Sequence, residues 1–496
     1  MNRVHIELQR VQTWLFAVPR LRAMVGANAL IGETLRVALP ELARQTGQWA
    51  LAPSQGSYPA ADSNDPLNND DSPATDARDG ILARDGGHFE ALFSSGASKF
   101  ADEAGKLVQE WLPGLHFRIT IDGAEVQRSQ VHLPTELPVL APCQWTGRGL
   151  ASTIIQQGGE RPAVSLDVVR RHSAAKGAED GKAVDLASLL SAKTKLAKLQ
   201  RPQELAELVG SGYLALLHAD GNGVGSAAPT TTEERATFFH RNRVLLRRAL
   251  QKAVNEHCPD QGQAPLILLM LGGDDLLVLC RAAIALPFVV TLCKELDELQ
   301  RDDNGFKLTL GVGVVIAKQT VPIHRLHEVV EQLVGSAKRR YGGVRDASRS
   351  VVDWAVYTTA WADDIEEVRR RDWICGTVQD MRVLSQRPVD VLGEGLSSLQ
   401  GLVDGAKKLE KAPRSQLRYL VEQLPRGRAL SELAFAELAK EAQAALKEAG
   451  VQAETLSKPA SNGRPLPLLD LVEIVEIARL GRNVEAVQLV TEVAHG

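Results

Sequence analysis

Gly272-Gly273-Asp274-Asp275 lies between two apolar runs, LILLML and LLVLC, so two adjacent carboxylates stand at the tip of what reads as a buried hairpin. The glycines supply the conformations a tight turn needs. Side-by-side aspartates repel and lose hydration unless a cation meets them. The simplest such cation is a divalent ion, Mg2+ or Mn2+, which prefers hard oxygen ligands and takes one or two carboxylates together with phosphate oxygens. A third acid, Asp220, closes another apolar strand, YLALLHADGNGVG, where Gly221, Asn222 and further glycines let a triphosphate approach the backbone. Asp220, Asp274 and Asp275 together suit a two-metal clamp for in-line nucleotidyl transfer. One ion would activate a ribose hydroxyl and the other would steady the departing pyrophosphate. Taken singly, each motif is also an ordinary Gly/Asp turn; their conjunction points to the metal site. Lys338, in GSAKRRYGG, is placed either to reach the triphosphate or to complement a helix C-terminus beside Arg339 and Arg340.

The elements that must hold these residues are legible from hydrophobic period. After Tyr213 the chain reads strand, long helix, hairpin, helix, strand: YLALLH, TTEERATFFHRNRVLLRRALQKAVNEH, LILLML with LLVLC, ALPFVVTLCKELDELQ with Pro287 in its opening turn, and FKLTLGVGVVIA. That is the split-βαβ, ferredoxin-like order of a palm. It makes the strand ending at Asp220 and the Asp274-Asp275 turn central neighbours. The helix PIHRLHEVVEQLVGSAKRRYGG follows, ended by Gly342 and Gly343, its stripe Leu326, Val330, Leu333, Val334 and Ala337 facing a core. His218 reads as structural, and Arg241, Arg243, Arg247 and Arg248 read as a solvated basic face. The first region repeats the pattern, with the strand RVHIEL, the helix ALIGETLRVALPELARQ, GGHFEALFSS, a helix over about 97–112 and the strand LHFRITID. Gly86-Gly87-His88-Phe89 stands where Gly272-Gly273-Asp274-Asp275 stands in the second copy.

The expected class is therefore α+β, with two tandem palms and a C-terminal helical bundle. The divisions are a first palm over 1–127, a connector over 128–206, a catalytic palm over 207–360 and a helical domain over 361–496. Residues 54–85, rich in Ser, Pro, Asn, Gly and Asp, read as a mobile, solvated loop inside the first palm. The 496 residues suit several domains. With 57 Lys+Arg against 61 Asp+Glu, the net charge of -4 neither requires nor excludes nucleic acid. The five cysteines, Cys143, Cys258, Cys280, Cys293 and Cys375, form no C-x-x-C pair, which argues against a disulfide framework and for a reducing cytoplasm. No leader peptide is expected, and no apolar run reaches the roughly 20 residues of a membrane span.

The GGDD tip, HADGNGVG and LTLGVGVVIA…SAK together resemble the second palm of the large polymerase/cyclase subunit of type III CRISPR effector complexes. IELQRVQTWLFAVPRLRAMVGANALIGE is similar to that family's first palm, GGHFEALF to its hairpin and PRSQLRYLVEQL to its C-terminal helical domain. The resemblance implies ATP between two palms, metal on Asp220, Asp274 and Asp275, and phosphate contacts from Lys338, with Gly221, Asn222, Gly272 and Gly273 close to the nucleotide. It also implies Asn28, in VGANAL, facing nucleotide, and a reaction that joins ATP 3′–5′ into cyclic oligoadenylate. Other effector subunits and guide or target RNA are the implied partners. The sequence departs from the family in lacking a His-Asp dipeptide, so no HD nuclease is expected, and in lacking the cysteine pairs of an inter-palm zinc finger. CQWTGRG keeps Cys143 alone, which weakens the case for zinc. Two other readings stand beside this one: a GGDEF-like cyclic dinucleotide synthase acting as a homodimer, and a non-catalytic scaffold for RNA and protein subunits.

Overall fold

The computed structural model describes residues 2–49, 61–71, 80–126, 141–147, 149–156, 159–210, 212–303, 305–340, 349–357, 364–376, 381–453, 456 and 466–480. In chain order the first repeat comprises β1 (Asn2–Gln9), α1 (Val11–Leu15), α2 (Leu21–Glu33), α3 (Leu39–Thr46), β2 (Gln48–Trp49), β3 (Ile81–Ala83), β4 (His88–Ser95), α4 (Ala97–Trp111), β5 (His116–Ile121) and β6 (Ala124–Glu125). Helices α5 (Leu166–Glu179) and α6 (Leu186–Ala192) follow. The second repeat has β7 (Tyr213–Gly221), α7 (Thr232–His257), β8 (Leu266–Gly272), β9 (Asp275–Arg281), α8 (Ala282–Glu298), β10 (Leu310–Lys318), α9 (Ile323–Arg339) and β11 (Val351–Tyr357). The fold is α+β, with two ferredoxin-like palms in tandem and a C-terminal helical region. The chain forms two compact units: Met1–Glu207 with Val224–Val278 and Pro322–His327, and Leu208–Gly223 with Leu279–Val321 and Glu328–Gly496.

In the first unit the sheet order is β2-β4-β1-β5-β6, with β3 on the outer side of β4. Strand β1 is central because its alternating Val4, Ile6 and Leu8 are buried, and a period of two puts all three on one face. Ile6 faces Phe89 on one side and Ile119 on the other, both antiparallel. Helix α4 covers this face through Phe100, whose ring lies 4.8 Å from that of Phe93 and 5.8 Å from that of Phe89. Each such buried ring contributes roughly 1.5–3 kcal/mol of transfer free energy.

Two of the sequence expectations fail in this unit. The described part of 54–85 is a loop only in part solvated: Ser63, Asn64 and Asn69 are exposed, but Asp65, Leu67 and Asp71 are buried, and β3 pairs with β4. Arg247 is not solvated either, being 1% exposed. Arg247 Nη1 donates to Asp65 Oδ2 at 3.0 Å, and its Nη2 donates to Asp71. Arg36, in the π-helical turn joining α2 to α3, donates to Asp71 at 3.2 Å, to Asp85 at 3.0 Å and to the Asp70 carbonyl at 2.8 Å. Burial pushes the Asp71 carboxyl up, but Arg247, Arg243 and Arg36 more than reverse this and hold it well below the usual carboxylate range. The buried acids of the stretch, Asp65 and Asp71, neutralise buried arginines, while Ser63, Asn64 and Asn69 face water.

The two Gly-Gly turns of the repeats also meet in this unit. A Cβ built on Gly272 would lie 2.8 Å from Gly86 Cα and 3.1 Å from Gly86 N. Gly272→Ala is therefore expected to destabilise the protein by about 1–3 kcal/mol through backbone overpacking. Gly273 sits at φ 64° with nothing within 4 Å of the same position, so Gly273→Ala meets only backbone strain of about 1–2 kcal/mol. Comparing the urea midpoints of the two variants checks this; Gly272→Ala as stable as the parent would show that the turns do not touch in solution.

In the second unit β10 pairs antiparallel with β7, placing Asp220 opposite Gly311 and His218 opposite Gly313. It pairs in parallel with β11, which α9 connects. Strands β7 and β10 are buried almost throughout, so they read as continuous apolar runs. His218 is buried and its Nδ1 lies 2.7 Å from Glu331, a structural role as expected. Pro287 lies inside α8 rather than in its opening turn, because the helix starts as soon as β9 ends. The region after 361 opens with the helix Ile365–Trp373 as expected, but short strands interrupt it: Ile374–Cys375 pairs with Arg382–Val383, and Val389–Asp390 pairs with β11. Among the described residues five α-helices then follow between Leu399 and Leu480. Gly342 and Gly343 lie outside the described residues. Among the described residues no helix is long and apolar enough to cross a membrane.

Candidate active site

In the second unit Asp220 closes β7, and Lys338, on the last turn of α9, donates from Nζ to Asp220 Oδ2. The same Nζ lies 3.3 Å from the Gly221 carbonyl. Gly311 makes this possible: a Cβ there would lie 2.7 Å from Lys338 Cγ and 3.1 Å from Asn222 Oδ1. The Lys338 side chain is 33% exposed and Asp220 36%, so the pair stays open to water and exchangeable. Asn222 is occupied otherwise. It is buried, its backbone N–H donates to the Thr309 carbonyl at 2.8 Å, and its Nδ2 donates to Thr309 Oγ1 at 3.1 Å. These bonds tie the DGNG turn to the chain entering β10.

In the first unit Gly272 and Asp275 line a cavity of about 270 Å3, together with Arg10, Gln12 and Asn28. Its apolar walls include Leu8, Ile31 and Met270. Asn28 is buried and donates from Nδ2 to Asp185 Oδ1 at 2.5 Å. Asp185 caps α6 by accepting from the Ser188 N–H at 2.9 Å, while its buried Oδ2 has no hydrogen-bond partner among the described residues. Burial pushes this carboxyl up. Asp275 Oδ2 accepts from Gln12 Nε2 at 3.3 Å.

The structure thus gathers Asp220, Gly221, Asn222 and Lys338 in one unit, and Asn28, Gly272, Gly273, Asp274 and Asp275 in the other. Among the described residues no group of three His, Cys, Asp or Glu side chains is gathered to hold a metal. A preformed three-carboxylate cage is therefore not present in the described residues. Magnesium needs less, since one or two carboxylates with phosphate oxygens and water suffice. Asp275 on the cavity wall and its neighbour Asp274 are donors of that type, so the residues fit an ion that enters with its nucleotide.

Gln12 and Asp185 carried no chemical signal in the sequence. Asp185 in VDLASLL had the look of a helix cap, a D-x-x-S start, within a stretch that reads as connector.

Residues 213–348 match the model of the Cas10/Cmr2 second palm domain. This stretch carries a palm similar to the Cas10/Cmr2 second palm. Among solved structures the chain is similar to the Csm1–Csm4 cassette in complex with pppApApA, at 13% identity over 96% of this chain and 69% of that one, with a TM-score of 0.50. The cassette with one ATP gives 13%, 97%, 70% and 0.48, and the apo cassette 14%, 96%, 70% and 0.45. At 13% identity the likeness to the cassette with pppApApA shows the fold alone. Comparison with curated protein sequences finds no match.

Proposed function

We propose that this Cas10-like chain is a nucleotidyltransferase that joins ATP 3′–5′ and closes the product into cyclic oligoadenylate. In this reading 1–127 is the first palm, 128–206 the connector, 207–360 the catalytic palm and 361–496 a helical domain. The observation that carries it is Asp275, set by a Gly-Gly turn on the wall of a cavity lined by Asn28 and Gln12, inside a Cas10/Cmr2 palm. The like-folded cassette solved with pppApApA supports adenylate chemistry and a partner subunit. Work alongside other effector subunits and guide or target RNA in the cytoplasm belongs to the same proposal.

In the reaction the 3′-oxygen of one nucleotide attacks the α-phosphorus of another, the α–β bridging P–O bond breaks, pyrophosphate leaves and the hydroxyl proton passes to solvent. Asp274 and Asp275 would hold the divalent ion, which supplies charge to the leaving group and acidifies the attacking hydroxyl when bound. Asp220 holds Lys338 until phosphate oxygens compete for its ammonium, and Asn222 keeps that turn fixed on Thr309. The apolar walls exclude water around the reacting atoms.

Incubating the protein with each labelled nucleoside triphosphate, Mg2+ or Mn2+, partner subunits and target RNA tests this. Pyrophosphate release with ATP, together with adenylates resistant to exonuclease, is expected. No release under any condition would favour the scaffold, and GTP-only turnover would favour the dinucleotide synthase.

A further inference from the structure

Strand β1 ends at Gln9, and the next residue, Arg10, adopts φ 53°, a left-handed conformation uncommon outside glycine. That reversal starts α1 at once and puts Gln12 in its opening turn. Such a conformation persists where the surrounding structure demands it. What the reversal delivers here is the Gln12 amide. Gln12 Nε2 donates to Asp275 Oδ2 at 3.3 Å, and Gln12 Oε1 lies 3.1 Å from His327 Nε2. An ionised carboxylate only accepts, so the amide must turn its NH2 toward Asp275. Its carbonyl then faces His327 and requires the proton on Nε2 of that ring. His327 is steadied by Phe16, whose ring centroid is 5.0 Å away. Three segments, 263 and 315 residues apart, converge on this one amide, and both Gln12 and Asp275 line the cavity.

We propose that Gln12 is a positioning residue for Asp275, and that His327 locks the Gln12 amide in the orientation that serves it. The inference rests on the functional reading above. It adds a neutral group that fixes the rotation of the Asp275 carboxylate without altering its charge.

Four variants and two readouts test it. Gln12→Leu keeps the bulk and removes both hydrogen bonds. The expected result is a kcat for nucleotidyl transfer reduced about tenfold to a hundredfold, in line with the cost of misplaced reacting groups, with KM for ATP within about twofold. His327→Phe is expected to lose a similar factor, and His327→Gln, which keeps an N–H donor, to regain most of it. Gln12→Glu sets a second carboxylate against Asp275, so the acid limb of the pH–rate profile moves to higher pH. The second readout is independent of turnover: the Asp275 side-chain carbon-13 titration, assigned by comparison with Asp275→Asn, should move upward in Gln12→Glu. A Gln12→Leu protein with parental kcat, or an Asp275 titration indifferent to Gln12→Glu, overturns the proposal. A parental protein that transfers nothing sinks the functional reading, while the titration still decides whether Gln12 and Asp275 are coupled.

Discussion

Asp275→Asn is expected to lower the proposed nucleotidyl transfer by about a thousandfold while leaving the thermal midpoint close to that of the parent. The size follows from removing a charge that acts where charge develops; losing a single electrostatic stabiliser elsewhere costs roughly 100- to 1,000-fold. Asparagine keeps the shape and still accepts from Gln12 through its carbonyl oxygen, so the cavity wall is retained. Asp220→Asn is expected to do much less, since it removes the resting partner of Lys338 and leaves that ammonium to meet phosphate oxygens without competition. Because that pair is solvent-exposed, its loss costs at most about 1 kcal/mol of stability. Pyrophosphate release measured beside thermal unfolding separates activity from folding. An Asp275→Asn protein that keeps a tenth of parental turnover would remove this residue from the mechanism.

The second large effect concerns stability. Arg247→Met is expected to cost about 3–5 kcal/mol at neutral pH, since it strands two buried carboxylates, Asp65 and Asp71, without their shared cation. Acid should narrow the difference. In the parent the Asp71 pKa is depressed, so its contribution is present above the ordinary value of 3.8 and is lost as pH falls below it. In Arg247→Met burial gains weight over the remaining arginines, and protonating the stranded acids relieves the penalty. Urea unfolding at pH 7 and near pH 4.5, with limited proteolysis across 61–71, gives both readings. A change under about 1 kcal/mol at pH 7 would mean that the knot is not closed in solution.

Local pattern carried most of the fold. Both repeats were readable because Val4, Ile6 and Leu8 alternate while Leu266–Gly272 and Asp275–Arg281 run apolar on either side of the tip. What escaped was pairing at long range. Asp65 and Asp71 share the composition of solvated loops, and nothing nearby in sequence announces Arg247, which lies 182 and 176 residues away. Strand Val351–Tyr357 was hidden by Asp353, a fully buried acid that breaks the apolar run and is satisfied by Arg369. Lys338 was legible at its helix end as a phosphate contact or a helix-terminal cation, but its present partner, Asp220, stands 118 residues upstream. Gln12 had no signal at all, because a neutral amide after a strand is chemically silent until its neighbours are known.

Residues Val224–Val278 gather with Met1–Glu207, although they lie within the span matched to the second palm. A fragment cut near residue 207 would strip α7 from the knot and leave Asp65 and Asp71 facing vacated space. Neither repeat is therefore a module that can be expressed, swapped or shuffled by itself.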